Sequence, residues 1–547
     1  MLSDEQRRMT DHTVITSGDR PVVLETDVPL SSSVIWRLQR DFYAQRGLKA
    51  WTEDQVPSYI TNNPFIAEIY ARIVFGFLCD CMRTPRAGTQ PLSNGNPLRI
   101  LELGAGSGKF SYLFLRKLAE LMDAANIAAS TVRYCMTDVS ENLLQSWRLN
   151  TYLSAFVQQG MLVFEQLQSG DEVNSSFVNS NSPGSTQPGG PLVLLANYVF
   201  DSLPQDAFVI KNGQIFEALL TTARNPNHNP NSEAELKDLQ LSYKNVEVSP
   251  NRYPEESWNL ILEQYRTGVP SGTVSFPCAA LNALKKLGQC TDGRMLLLAA
   301  DKAIAHEEDL RLYQGAPAIE FHGPGCFSQM VNFDAIGKYF VGLGGKALKP
   351  DKHSAGLAIC AFLQLRPGDE FPGTASAYGD AMAAFGPDDL FALLAWLHPH
   401  MEQMSIPQVL SLLRLTRWDT TAFLRLFPVI ARQLRSVGAE RVDLRNAVLS
   451  TWANHYPVSP AENLLAFNCG VLLLELRFFA EALPMFKASE QVLGRSAATS
   501  YNLGLCAQGL GKPDEALAFM TEACNLDPSF EPARSARTKL ESQLKQS

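Results

Sequence analysis

The stretch LRILELGAGSGKFSYLFL, residues 98–115, restricts this chain more than any other part of it. An apolar run ending at Leu103, three alternating glycines and an amphipathic run from Lys109 describe a strand, a tight turn and a helix. Gly104, Gly106 and Gly108 let the backbone bend sharply and approach a ligand with no Cβ in the way. Amides at the helix start can then meet an anion or a polar group. Alternating glycines also occur in nucleotide binders and in plain tight turns. Phe110 follows Lys109, so the lysine and hydroxyl pair of a phosphate-binding loop is absent. Glu102, just before the turn, would give a phosphate binder nothing.

Four short apolar runs at 99–103, 132–137, 161–164 and 192–196 read as buried strands, with helices at 111–121 and 141–153 separating the first three. Strands alternating with helices predict a parallel sheet with right-handed crossovers. A helix near 279–287 precedes another strand at 294–299, and an α/β unit leads to a closing strand within 355–365. The fold class expected is α/β, a Rossmann-like sheet over residues 98–366, followed by an all-α domain. Asp138 ends the second strand, where a carboxylate can accept both hydroxyls of a ribose or can cap the following helix. Asn197, Tyr198 and Asp201 follow the fourth strand, on the edge where such sheets bind ligands. Asp201 can orient a nitrogen or take its proton, with Asn197 as helper, or Asp201 can cap a helix while Pro204 shapes a turn.

Around this sheet the chain predicts a flexible lead over 1–30 and a helical lid segment over 31–97. Polar stretches at 169–191 and 223–238 read as inserted loops, and PGDEFPGTAS within 367–376 as a linker. Helices fill 377–460, and 461–547 repeats itself. Gly470 and Gly504, Ala482 and Ala516, and Phe486 and Met520 each stand 34 apart. That is the period of the tetratricopeptide helix pair, in which small residues allow helices to cross closely. Residues 531–545 read as a capping helix, and the repeats as a groove for a protein substrate or partner.

The net charge of −9 and pI near 5.5 argue against nucleic acid and anionic lipid as partners. No apolar run reaches membrane-spanning length, and the first twenty residues carry neither a signal-peptide core nor transit-peptide character. The cysteines lack metal-ligand or disulfide-framework spacing, so reduced, mostly buried thiols and a cytoplasmic location are expected. The histidines show no metal spacing either; His398 and His400 flank a proline and suit a helix end. Trp36, Tyr43 and Trp51 fit either a lid over an adenine or a core.

Taken together, ELGAGSGKF, NYVFDSLP, FHGPGCFSQMVNFDAIGKYF from Phe321 and YITNNPFIAEIYA from Tyr59 resemble the MidA-like methyltransferases, whose relatives include mitochondrial complex I assembly factors. The likeness runs in order over about residues 35 to 365. It implies an enzyme that binds S-adenosylmethionine, with Glu102 meeting the methionine end, Gly104, Gly106 and Gly108 cradling it, Asp138 at the ribose and Thr61 closing over the cofactor. His322 falls in the late family segment, either lining the substrate cleft or bonding a loop, and Tyr198 stands beside the acceptor. Protein arginine is the acceptor in some relatives. Here Tyr198 replaces the family glutamate and Asn63 an acidic residue, which removes charge that a guanidinium would want; Glu68, Asp201 and Asp206 are the replacements at hand.

The expected activity is methyl transfer to a protein side-chain nitrogen. Two other readings stay open: a catalytically inactive scaffold acting through its repeats, and a small-molecule methyltransferase.

Overall fold

The computed structural model describes residues 21–46, 60–83, 91–93, 95–167, 189–224, 236–322, 326–351 and 356–545. The chain divides into two compact units.

The larger unit comprises Tyr43–Asp201, Ala280–His306 and Met330–Ser547. Its seven-stranded sheet contains β1 (Leu98–Leu103), β2 (Val132–Asp138), β3 (Leu162–Gln166), β4 (Leu192–Asn197), β5 (Met295–Asp301), β6 (Lys346–Leu348) and β7 (Ala358–Gln364). The spatial order is β6-β7-β5-β4-β1-β2-β3. The five strands from β5 to β3 in that order run parallel, while β7 is antiparallel to both β5 and β6. Strands covered on both faces read as unbroken apolar runs, and β5 is buried at every position. The chain steps outward from β1 through β2 to β3, then returns to β4 on the other side of β1. The order therefore reverses between β1 and β4, which opens a crevice at their carboxyl ends.

The helix Pro64–Arg83 carries buried Ile66, Ile69, Tyr70, Ile73, Val74 and Phe77 at helical spacing. It packs on the helices Lys109–Ala124 and Pro372–Ala383. The crossing with the latter is close: a Cβ on Gly76 would lie 2.7 Å from the Gly373 carbonyl oxygen. Asp80 caps the second helix, accepting from Gly373 N (3.1 Å), Thr374 N (2.7 Å) and Thr374 Oγ1 (2.8 Å). The expected linker is thus a helix start over its second half, with Phe371 buried before it. Beyond it, the helices Leu465–Glu475, Phe479–Leu493, Ala497–Gly509, Pro513–Leu526 and Glu531–Leu544 follow the repeat spacing closely.

The smaller unit comprises Met1–Phe42, Ser202–Ala279 and Glu307–Gln329. It is an antiparallel sheet in the order Val22–Val28, Gln214–Arg224, Asp206–Lys211 and Ser271–Phe276, with Leu239–Glu247 also pairing Gln214–Arg224. Two expectations change here. Residues 22–28, read as part of a flexible lead, form a strand, and residues 202–279, read as part of one continuous domain, belong to a separate compact unit. Trp36 is core in this unit, donating from Nε1 to the Leu30 carbonyl (2.7 Å) and packing on Phe327 at 4.8 Å. The side chain of Tyr43, all of Trp51, and the loop expected at 169–191 apart from its last three residues lie outside the described residues.

Candidate functional site

At the reversal point of the larger unit's sheet, Thr61, Asn62, Glu102, Leu103, Gly104, Ala105, Gly106, Phe110, Asn197 and Tyr198 line one cleft. Five elements supply them: the turn before helix Pro64–Arg83, the end of β1, the glycine turn, the first turn of helix Lys109–Ala124 and the end of β4. The glycines take the positive φ values that the sequence demanded, +67° at Gly104 and +81° at Gly108. A Cβ on Gly104 would meet only Val199 Cγ2 at 3.6 Å, so that glycine keeps space open on the cleft side.

Glu102 is buried, and its Oε2 accepts from Ser111 Oγ (2.5 Å) and Tyr134 Oη (2.7 Å). Burial pushes its carboxyl up to about 7, against the pull of those two hydroxyls. Asp138 is also buried. Its Oδ2 accepts from Gly106 N (3.4 Å) and its Oδ1 from Ser140 N (3.1 Å), so it ties the glycine turn to the start of helix Glu141–Arg148. Burial raises its carboxyl, and the amides of Ser140, Gly106 and Val139 draw it back. Asp138 thus stands at the end of β2 and holds a helix N-terminus, and it is not among the cleft-lining residues.

Asn197 Oδ1 accepts from Tyr70 Oη at 2.8 Å. Tyr198 sits at φ +52°, a left-handed conformation that costs a non-glycine residue energy, and its N–H donates to the Ala300 carbonyl (2.9 Å). Strain of this kind concentrates at ligand sites. Asp201 follows in the short turn Phe200–Ser202, buried, with its N–H donating to Asp301 Oδ2 at 3.2 Å. Asp301 ends β5 and is wholly buried; burial first, then the neighbouring Asp201 charge, pushes its carboxyl far up. Asp201 is not among the cleft-lining residues.

Asn63, which stands in place of an acidic residue, and Glu68 and Asp206, two of the three replacements considered for a guanidinium partner, are engaged elsewhere. Asn63 accepts from Ile66 N (3.0 Å) and caps the helix it precedes. Glu68 pairs with Arg72 (2.7 Å) and Arg417 (3.6 Å). In the smaller unit, Asp206 accepts from Tyr253 Oη (2.6 Å) and lies 3.4 Å from Arg252. His322 also belongs to that unit, in the hairpin Glu320–His322 and Cys326–Ser328, with Nε2 2.6 Å from Ser328 Oγ. Gly323 and Gly325 lie outside the described residues. Among the described residues no group of three or more His, Cys, Asp or Glu converges on a metal position. No helix among them is long and apolar enough to cross a membrane.

Sequence reasoning missed Tyr70, Asp301, Trp147 and Tyr456. Trp147 Nε1 donates to the Gly106 carbonyl (3.0 Å) and Tyr456 Oη to the Ser107 carbonyl (3.0 Å), so two aromatic side chains hold the glycine turn from outside the motif. Tyr70 carried only a core signal in its helical spacing, and Tyr456 carried none.

Residues 83–308 match a family model described as "Putative S-adenosyl-L-methionine-dependent methyltransferase". The match supports S-adenosylmethionine-dependent methyl transfer as the chemistry of this part of the chain. No curated protein matches the chain. Among solved structures, a native crystal structure of an uncharacterized protein from Burkholderia thailandensis is similar at 14% identity, covering 63% of this chain and 89% of that one, with a TM-score of 0.40. A candidate methyl transferase of the same superfamily and organism, bound to S-adenosyl-homocysteine, is similar at 14% identity, covering 65% and 84%, with a TM-score of 0.37. MamA from Desulfovibrio magneticus RS-1 is similar at 14% identity over 29% of this chain and 94% of that one, with a TM-score of 0.21. Scores this low carry no argument about fold or activity.

Proposed function

We propose that the larger unit is a Rossmann-like S-adenosylmethionine-dependent methyltransferase of MidA-like type, acting on a protein side-chain nitrogen that tetratricopeptide-type repeats recruit. The observation that carries this reading is the cleft at the β1/β4 reversal, where a buried carboxylate, a glycine turn and a carboxamide converge.

The residues present fit the cofactor. Glu102 offers a carboxylate to an ammonium group, and Gly104 leaves room for a backbone approach that any Cβ would fill. Bound there, S-adenosylmethionine supplies a methyl group already activated by its sulfonium. The chain then has three tasks: to align the acceptor, to exclude water and to remove a proton. Asn197, held by Tyr70, orients the acceptor nitrogen. Asp201, on the turn that follows β4 just outside the cleft lining, is the carboxylate proposed to take the proton, with the buried Asp301 beside it accepting from its backbone N–H. Tyr198 lines the same cleft. Without the family glutamate, and with Asn63 and Glu68 engaged, arginine is a weaker acceptor candidate than a neutral nitrogen.

Incubation of the protein with methyl-labelled cofactor and a cell extract tests this. Label should enter a protein band with the native chain and not with Asp201→Asn. Label appearing only in small molecules would move the reading to a metabolite acceptor, and none anywhere would favour a scaffold.

A further inference from the structure

The C-terminal helical region reaches the glycine turn itself. Between the helices Arg441–Ala453 and Leu465–Glu475, the chain passes over residues 107–109, all within the larger unit. Tyr456 is buried there, and its hydroxyl donates to the Ser107 carbonyl (3.0 Å) while accepting from Asn150 Nδ2 (3.0 Å). A Cβ on Gly108 would stand 2.8 Å from that hydroxyl, so the third glycine is needed partly because Tyr456 occupies the space.

One residue further on, Lys109 forms an ion pair with Glu462 at 2.5 Å, with both side chains more than nine-tenths buried. Thr420 Oγ1 bridges the two, 3.3 Å from Lys109 Nζ and 3.0 Å from Glu462 Oε1. The second oxygen of Glu462 accepts from Val458 N (2.7 Å) and Ser459 N (3.2 Å), so the segment carrying Tyr456 is fastened by the same carboxylate. A buried ion pair adds little net stability over an apolar pair, but losing one partner leaves an uncompensated buried charge, so the pair holds the two segments together. It therefore fixes position.

We infer that Tyr456 and the Lys109–Glu462 pair are positioning residues for the cofactor turn, so that the helical region is a structural part of the cofactor site rather than an appended module. This rests on the methyltransferase reading above and deepens it. Coupling is reciprocal: whatever holds the turn for the cofactor is in turn steadied by the cofactor.

Full-length native protein, Tyr456→Phe, Lys109→Met and Lys109→Arg are compared by S-adenosylmethionine calorimetry and by amide exchange without and with the cofactor. We expect Tyr456→Phe and Lys109→Met to bind on the order of tenfold more weakly, with Lys109→Arg restoring most of the loss. Exchange should quicken in residues 104–109 of the weakened variants rather than throughout, and cofactor should slow exchange at 455–464 of the native chain. A general packing defect would instead speed exchange everywhere and would not be rescued by arginine, which overturns the inference. Native binding with unchanged affinity in both variants overturns it while leaving the methyltransferase reading intact. Absence of binding by native protein removes both.

Discussion

The phenol of Tyr70 donates to Oδ1 of Asn197 across 2.8 Å, linking the middle of a buried helix to the last residue of β4. This bond sets which way the carboxamide faces, and Asn197 lines the cleft. Tyr70→Phe should cost about 1 kcal/mol of unfolding free energy, the typical worth of one such bond. It should also weaken cofactor binding or slow methyl transfer several-fold. Urea unfolding beside calorimetry separates the two effects, and a loss of stability with unaltered binding would show that the bond serves only the core.

Glu102 makes the protein pH-sensitive in a definite direction. Its carboxyl is raised from the ordinary 4.5 to about 7, so the folded state holds the proton more tightly than the unfolded chain does. The stability it contributes is complete below the lower value and is lost as pH rises through the upper one. Thermal midpoints should therefore fall across that window, and Glu102→Gln should flatten the fall. An ammonium ligand prefers the ionised form, so native cofactor affinity should climb over the same range and the variant's should not.

Gly108→Ala and Gly160→Ala form a matched pair. Both glycines have positive φ, +81° and +71°, but a Cβ at Gly160 meets nothing within 4 Å while one at Gly108 meets Tyr456 Oη at 2.8 Å and Met136 Cε at 3.0 Å. Gly160→Ala should cost only the left-handed backbone term, about 1–2 kcal/mol. Gly108→Ala should cost distinctly more and should abolish cofactor binding. Equal unfolding midpoints would contradict the contact.

The two repeat glycines should differ as well. A Cβ at Gly470 would lie 2.8–3.0 Å from ring carbons of Phe486, and one at Gly504 would lie 2.7 Å from the terminal Cε of Met520. An aromatic ring in a packed core has few alternative positions, whereas a thioether end can swing aside. Gly470→Ala should therefore lower the denaturation midpoint more than Gly504→Ala.

What the sequence disclosed and what it hid follow from where each signal resides. β1, β2, β4 and β5 stand within a residue or two of the apolar runs that announced them, because strands buried on both faces leave a local trace. The smaller unit left no comparable trace. Leu239–Glu247 alternates between half-buried and exposed positions over much of its length, and its partner Gln214–Arg224 is similarly mixed, so neither reads as a continuous run. The expected linker failed for another reason: Asp80, which caps the helix there, is nearly 300 residues earlier, and no local pattern encodes a bond at that separation. The site divides the same way. Glu102, the glycines and Asn197 were legible as one motif and one strand end. Tyr70, Asp301 and Tyr456 come from other elements and acquire their roles only when the sheet and helices assemble.

The most direct test of the central claim is calorimetric titration of S-adenosylmethionine into the full-length protein, native and Asp138→Ala. Asp138 ends β2 and accepts from Gly106 N, so its loss removes a bond that holds the glycine turn lining the cleft. Micromolar binding by the native chain that disappears in the variant is the result expected. A native protein, folded by circular dichroism, that gives no heat of binding would contradict the account and leave the helical repeats as the chain's working surface.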